Sequence, residues 1–192
     1  MGLDQRSLGI GKMGTEVITF EQKARTMLLD HDFPSPFQET DGTAWDPYYR
    51  TLISDTTGSG GRRAGAELMD SVRAFATVSN MVNDGRAKGD VEDDPLQMAL
   101  LIRMTPYMLE FSSAMFRRKV CVTKKGRIGN VVDGTMVGDQ VVLIGGVDRP
   151  IIMRKDDSGL KSQFIGMAYV DGIMDGEGLE GEAEEMEEIQ VV

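Results

Sequence analysis

Residues that carry chemistry on their own are scarce in this chain, which holds one cysteine, one histidine and one tryptophan among 192 residues. Cys121 has no partner for an internal disulfide and no Asn-x-Ser/Thr sequon occurs, so a reducing, cytoplasmic setting is expected. Flanked by Val120 and Val122 in a strand-like run, Cys121 reads as a small packed thiol rather than a nucleophile. His31 stands alone beside prolines, with no second ligand or nucleophile at useful spacing, so neither a metal site nor a hydrolytic triad is expected. Long apolar runs are also missing. Arg103, Gly145 and Gly146 interrupt the most apolar stretches well short of the roughly 18 residues that a spanning helix needs. Met1–Gly14 lacks the charged and apolar regions of a secretory signal, and Arg6 stands where a myristoylation motif wants Ser or Thr. The expectation is a soluble protein that is not an enzyme and needs no cofactor.

What is present is charge, unevenly placed. The net charge is −10, yet nine acidic residues and no Lys or Arg follow Val170, which leaves the first 170 residues at −1. A nearly neutral body with an acidic end argues against a general nucleic-acid binder and leaves room for a local basic patch. Such a patch is written around residues 117 to 127, where Arg117, Arg118, Lys119, Lys124, Lys125 and Arg127 cluster. These six form the candidate interaction patch, able to meet phosphates or an acidic partner; charged strand edges that discourage aggregation explain them equally well.

Hydrophobic periodicity divides the chain. Residues 1–14 read as a flexible N-terminus, 15–116 as a mainly helical region with loops, 117–178 as a small antiparallel β unit and 179–192 as an acidic, disordered tail. Within the helical region, 15–30 reads as a helix. The Pro-rich stretch around Trp45 reads as a loop, and DTTGSGGRR as a flexible turn. Residues 66–82 carry Leu68, Val72 and Phe75 at spacings of three and four, which predicts an amphipathic helix. Asp94 and Pro95 are placed as N-cap and first helical residue of another, reaching about Phe116, which Pro106 is expected to kink or split. The two helices should pack through Leu68, Val72 and Phe75 against Leu101, Ile102 and Leu109. From Arg117 onward, short Val/Ile runs alternate with glycine turns. Strands are expected near 118–123, 127–132, 140–145, 150–154 and 162–170. The fold class is therefore α+β, a helical portion followed by a five-stranded antiparallel, barrel-like unit.

Several motifs fail on context. Gly9, Gly11 and Gly14 spell G-x-G-x-x-G, but only eight residues precede it and their sequence is not strand-like. GSGGRR at 58–63 lacks the Lys-Ser/Thr of a phosphate loop. Asp171, Asp175, Gly176 and Glu182 match part of a calcium loop, but Ile173 occupies a ligand position.

One resemblance covers about two thirds of the chain. The segment FRRKVCVTKKGRIGNVVDGTMVGDQVVLIGGVDRPIIMRKDDSGLKSQFIGMAYVDGIMDGEGL resembles the C-terminal region of fungal heterokaryon-incompatibility (HET) domain proteins. Matching positions include Arg118, Thr123, Gly126, Gly129, Gly138, Asp139, Val141, Gly145, Pro150 and Arg154, then Gly166, Ala168, Tyr169, Val170, Gly172, Ile173, Met174, Gly176 and Glu177. Upstream, Tyr49–Asp55 and Gly61–Ala64 are similar to a Tyr-Trp-Arg-Thr-Leu-Ile-Ala-Asp … Gly-Arg-Arg-Ala segment of the same proteins. Val120, Val131 to Asp133 and Phe164 depart from the pattern, and the family's N-terminal HET domain, an α/β module similar to TIR domains, has no counterpart here. The resemblance implies a non-catalytic C-terminal module, a protein-interaction or structural region linked to fungal non-self recognition. The alternative is a small-ligand or nucleic-acid-binding β barrel that uses the basic hairpin from Arg117 to Arg127. The matched residues are mostly glycines and packing residues, which fits a structural role.

Overall fold

The computed structural model describes residues 12–30, 47–58, 62–84 and 95–177. His31, Trp45, Gly9, Gly11, Glu182 and the acidic tail lie outside them. The chain divides into two compact units, Met1–Ala114 and Met115–Val192.

The first unit is built on α1 (Lys12–Asp30), α2 (Pro47–Leu52), α3 (Met69–Asn83, led by a 3-10 turn at Ala66–Leu68) and α4 (Pro95–Ala114). Its core is aromatic. Phe75 of α3 meets Tyr49 at 6.4 Å, Tyr107 at 5.0 Å and Phe111 at 6.0 Å between ring centroids, and Phe20 of α1 meets Phe111 edge-on at 5.7 Å. Such pairs add to the area they bury. Leu68, Val72 and Phe75 are buried as the spacing predicts. The opposing face of α4 is not the expected one: Ile102 and Leu109 are 66% and 53% exposed, and Met104, Tyr107, Met108 and Phe111 take the core. The physical reason is that α4 is apolar on nearly every side, so the larger aromatic residues decide which face is buried.

Pro106 does not split α4, which runs unbroken from Pro95 to Ala114. The proline disturbs the helical ladder locally, and the amide of Tyr107 donates instead to Ser71 Oγ of α3 at 2.8 Å. A second polar contact ties three helices together. Glu21, fully buried on α1, accepts from Arg25 Nε at 2.9 Å and Nη2 at 2.8 Å, from Tyr48 Oη of α2 at 3.1 Å and from Ser79 Oγ of α3 at 2.5 Å. A buried carboxylate is tolerable only with such partners. Burial, and then the adjoining Glu21 carboxylate, push the Tyr48 hydroxyl well above the ordinary tyrosine pKa.

Where a flexible turn is expected after α2, the chain makes a short hairpin, β1 (Thr56–Thr57) with β2 (Arg62–Arg63). Ser54 and Asp55 turn into it with φ of 53° and 50°. Asp55 is held by Arg63 Nε at 2.6 Å and faces Arg50 Nε at 3.7 Å. Glu110 of α4 anchors the far end by accepting from the Gly58 amide at 2.9 Å.

The second unit holds β3 (Arg118–Val122), β4 (Ile128–Val132), β5 (Gln140–Val142), β6 (Ile151–Lys155), β7 (Ser162–Met167) and β8 (Tyr169–Val170). The expected strands are all present and antiparallel, and no helix interrupts them. Their pairing differs from a single five-stranded, barrel-like unit. Among the described residues there are two three-stranded sheets, ordered β3-β4-β8 and β5-β6-β7, and hydrogen bonding does not close a barrel. The expected strand 162–170 breaks at Ala168, whose amide donates to Pro150 O at 2.8 Å. β7 therefore pairs with β6, and β8 crosses to β4. Val131, Ile152, Ala168 and Val170 form the core the two sheets share, with Cys121, Val141, Ile165 and Ile173 packed on it.

Two glycines permit the close approaches. A Cβ on Gly166 would lie 2.8 and 2.9 Å from the Val132 methyl carbons, and one on Gly129 would lie 2.9 Å from Tyr169 O. No side chain fits there without moving backbone or a stiff β-branched neighbour.

Candidate functional site

The six basic residues of the first β hairpin do not form one patch. β3 and β4 pair in strict register from Arg118↔Val132 to Val122↔Ile128, and a glycine turn at Gly126, φ 75°, closes them. Arg118 points inward. Its Nε donates to Asn130 Oδ1 at 2.5 Å, and its Nη2 donates to Asn130 O at 2.9 Å and Met167 O at 2.8 Å. Burial, and then the charge of Arg149, hold its pKa below the ordinary arginine value. Arg127 is also engaged, donating through Nη1 to Gly172 O and more loosely to Asp171 O at 3.4 Å. The Lys119 ammonium donates to Asp133 O at 2.8 Å. The side chains of Arg117, Lys124 and Lys125 are exposed, the first before β3 and the others in the turn after it. An extended strand of five residues separates them by about 16 Å.

Asn130, which no sequence motif marks, is fully buried and completes this network. Its Nδ2 donates to Met115 Sδ at 3.0 Å. A polar residue in a run of Val and Ile is the only sequence signal it offers.

Asp139 and Arg154 are likewise bound within the fold. Asp139 and Arg154 make a bidentate pair, Nε to Oδ1 and Nη2 to Oδ2, both at 2.8 Å. Arg154 Nη2 also donates to Gly134 O at 2.9 Å, and Asp139 Oδ2 accepts from the Met136 amide at 2.8 Å. The hydrogen bond from Arg154 holds the Asp139 carboxyl below the usual aspartate pKa. Cys121 is half-buried in the core, and burial pushes its thiol up, outweighing the charge of Lys119. A thiol in that state is a packing group rather than an attacking one.

Exposed apolar side chains collect in two places. On α4, Met98, Ile102 and Leu109 fall on one helical stripe opposite the core. In the second unit, Met136, Val137, Leu160 and Phe164 are exposed in and beside the loops that flank the Asp139–Arg154 pair. No described helix is long and apolar enough to cross a membrane.

The second unit is thus a small two-sheet β module in which Arg118, Asp139 and Arg154 hold its own strands and loops. The Het-6 beta-barrel domain family matches residues 66–192, and the chain belongs to that family. The match takes in α3 and α4 as well as all six strands of the second unit. No curated protein and no solved structure matches.

Proposed function

We propose that this chain is a non-catalytic, protein-interacting module of the HET family, acting in a fungal cytoplasm in non-self recognition. The observation that carries the reading is the direction of its polar residues. Arg118, Asp139 and Arg154, which fall within the HET resemblance, have their polar atoms engaged by partners inside the unit, as a framework requires. The surface meanwhile presents apolar side chains on α4 and around the loops at Met136 and Leu160, the kind of surface that partner proteins cover. The ligand- or nucleic-acid-binding alternative draws less support, because three of the six cations that would serve it bind backbone or side-chain oxygens of their own unit.

Affinity capture of the tagged chain from a fungal lysate, with and without nuclease, tests the proposal. A protein partner retained after nuclease treatment is the expected result. Recovery of nucleic acid alone, with binding that falls steeply with salt, would replace it with the alternative.

A further inference from the structure

We infer that the outer edge of β3 is a docking site for an extended peptide strand with a β-branched centre and carboxylates at both ends. This names the kind of partner for the interaction module proposed above and rests on that reading.

The hairpin ladder fixes which backbone groups of β3 face outward. The Thr123 amide bonds to Arg127 O at 2.9 Å and the Asp133 amide to Arg117 O at 3.1 Å. Antiparallel pairing alternates, so residues 119 and 121 turn their amides and carbonyls toward β4, and residues 118, 120 and 122 turn theirs away. Arg118 N is taken by Met115 O at 3.1 Å. The amides and carbonyls of Val120 and Val122 remain on the outer side, and among the described residues no strand pairs with β3 there. Two successive outward residues are the template that strand addition uses.

The edge carries its own selectivity. Val120 and Val122 are half-buried, and the part of each that reaches solvent presents a β-branched surface to the flanking side chains of an added strand. Arg117 lies at one end of β3, and Lys124 and Lys125 at the other. Neither a proline nor a bulge blocks the edge, since the β3–β4 register is unbroken. Cations at the ends repel basic strands, and they complement a peptide of about seven residues, roughly 23 Å long, with acids at its two ends.

The test uses the full chain and a fluorescently labelled peptide, Glu-Glu-Val-Thr-Val-Glu-Glu, followed by anisotropy. Saturable binding that weakens with salt is expected, as is a loss of tenfold or more on N-methylation of either the central Thr or, in a second peptide, both valines, since one of these two sets of amides faces β3 in either strand direction. N-methylation leaves the protein and every charge unchanged, so equal binding of both methylated peptides would reduce the contact to diffuse electrostatics and overturn the inference. Val120→Pro should also remove binding, because it deletes an outward amide and spares the ladder to β4. Lys124→Glu with Lys125→Glu should weaken binding by tenfold or more. Peptide binding that appears only after residues 179–192 are deleted would assign the edge to the chain's own tail. Self-association abolished by Val120→Pro, without peptide binding, would assign it to a second copy. Displacement of the peptide by a single-stranded oligonucleotide would assign it to nucleic acid. Each of these three overturns the proposal. Capture of a lysate partner by the Val120→Pro chain as well as by the unchanged one would sink the edge assignment and leave the interaction-module reading standing.

Discussion

Asp139 and Arg154, fifteen residues apart in sequence, face each other through two parallel hydrogen bonds of 2.8 Å. The aspartate sits at the end of the loop after β4 and the arginine on β6. Together they fasten that loop to the β5-β6-β7 sheet, with Gly134 O as a third point of attachment. Planar guanidinium and carboxylate match best in this geometry, and lysine at 154 would not reproduce it.

The pair has a pH signature. The Asp139 pKa is depressed in the folded protein, so the stability it contributes is present above the ordinary aspartate pKa and is lost as pH falls through the folded value. Comparison of Asp139→Asn with the unchanged chain by urea denaturation should show a deficit at pH 7 that shrinks below about pH 4. A deficit that is constant with pH would mean that the carboxylate charge is immaterial.

Phe75 touches three other rings in the first unit and is fully buried, so Phe75→Ala should cost about 3–5 kcal/mol. Ile102 lies on the outward face of α4, and Ile102→Ala should change stability by no more than about 0.5 kcal/mol. Chemical denaturation of the two variants distinguishes the buried face of α4 from the exposed one.

Glu21 is the polar joint of α1, α2 and α3. Glu21→Ala leaves the Arg25 guanidinium without its nearest carboxylate and should cost about 3–5 kcal/mol in denaturation. Loss under about 1 kcal/mol would show that Ser79 and Tyr48 re-pair without it.

Gly166 faces Val132 with no room for a methyl group. Gly166→Ala should destabilise by about 1–3 kcal/mol. Adding Val132→Ala should recover part of that loss, a coupling visible in a double-mutant cycle. Strict additivity of the two changes would refute the contact.

Much of the β unit is legible in the sequence because glycines punctuate it. Gly126 and Gly138 turn at positive φ where the Val/Ile runs stop, and the strand limits fall within about three residues of those the pattern predicts. The division into two sheets is not legible. Met167-Ala168-Tyr169 carries no glycine or proline, and the switch at Ala168 depends on Pro150 O, which lies eighteen residues away. The exposed face of α4 is misread for a related reason, since a helix apolar on most sides gives periodicity little to discriminate. Charge clustering shows where the basic residues lie along the chain but not where their side chains point. Whether Arg118 and Arg127 point inward is decided by the carbonyls of Met167 and Gly172, more than forty residues downstream.

The crossing at Ala168 also orders events in time. β3 with β4, and β5 with β6 and β7, are local hairpins, whereas β8 must return to pair Val170 with Gly129 across 41 residues of chain. Closing that loop is the entropically costly step, so during synthesis β4 keeps an unpaired edge until residue 170 has left the ribosome. A late-docking β8 predicts that Val170→Ala accelerates unfolding and leaves the refolding rate nearly unchanged in stopped-flow kinetics. The interval before that docking is when the nascent β unit is most open to pairing with another copy of itself.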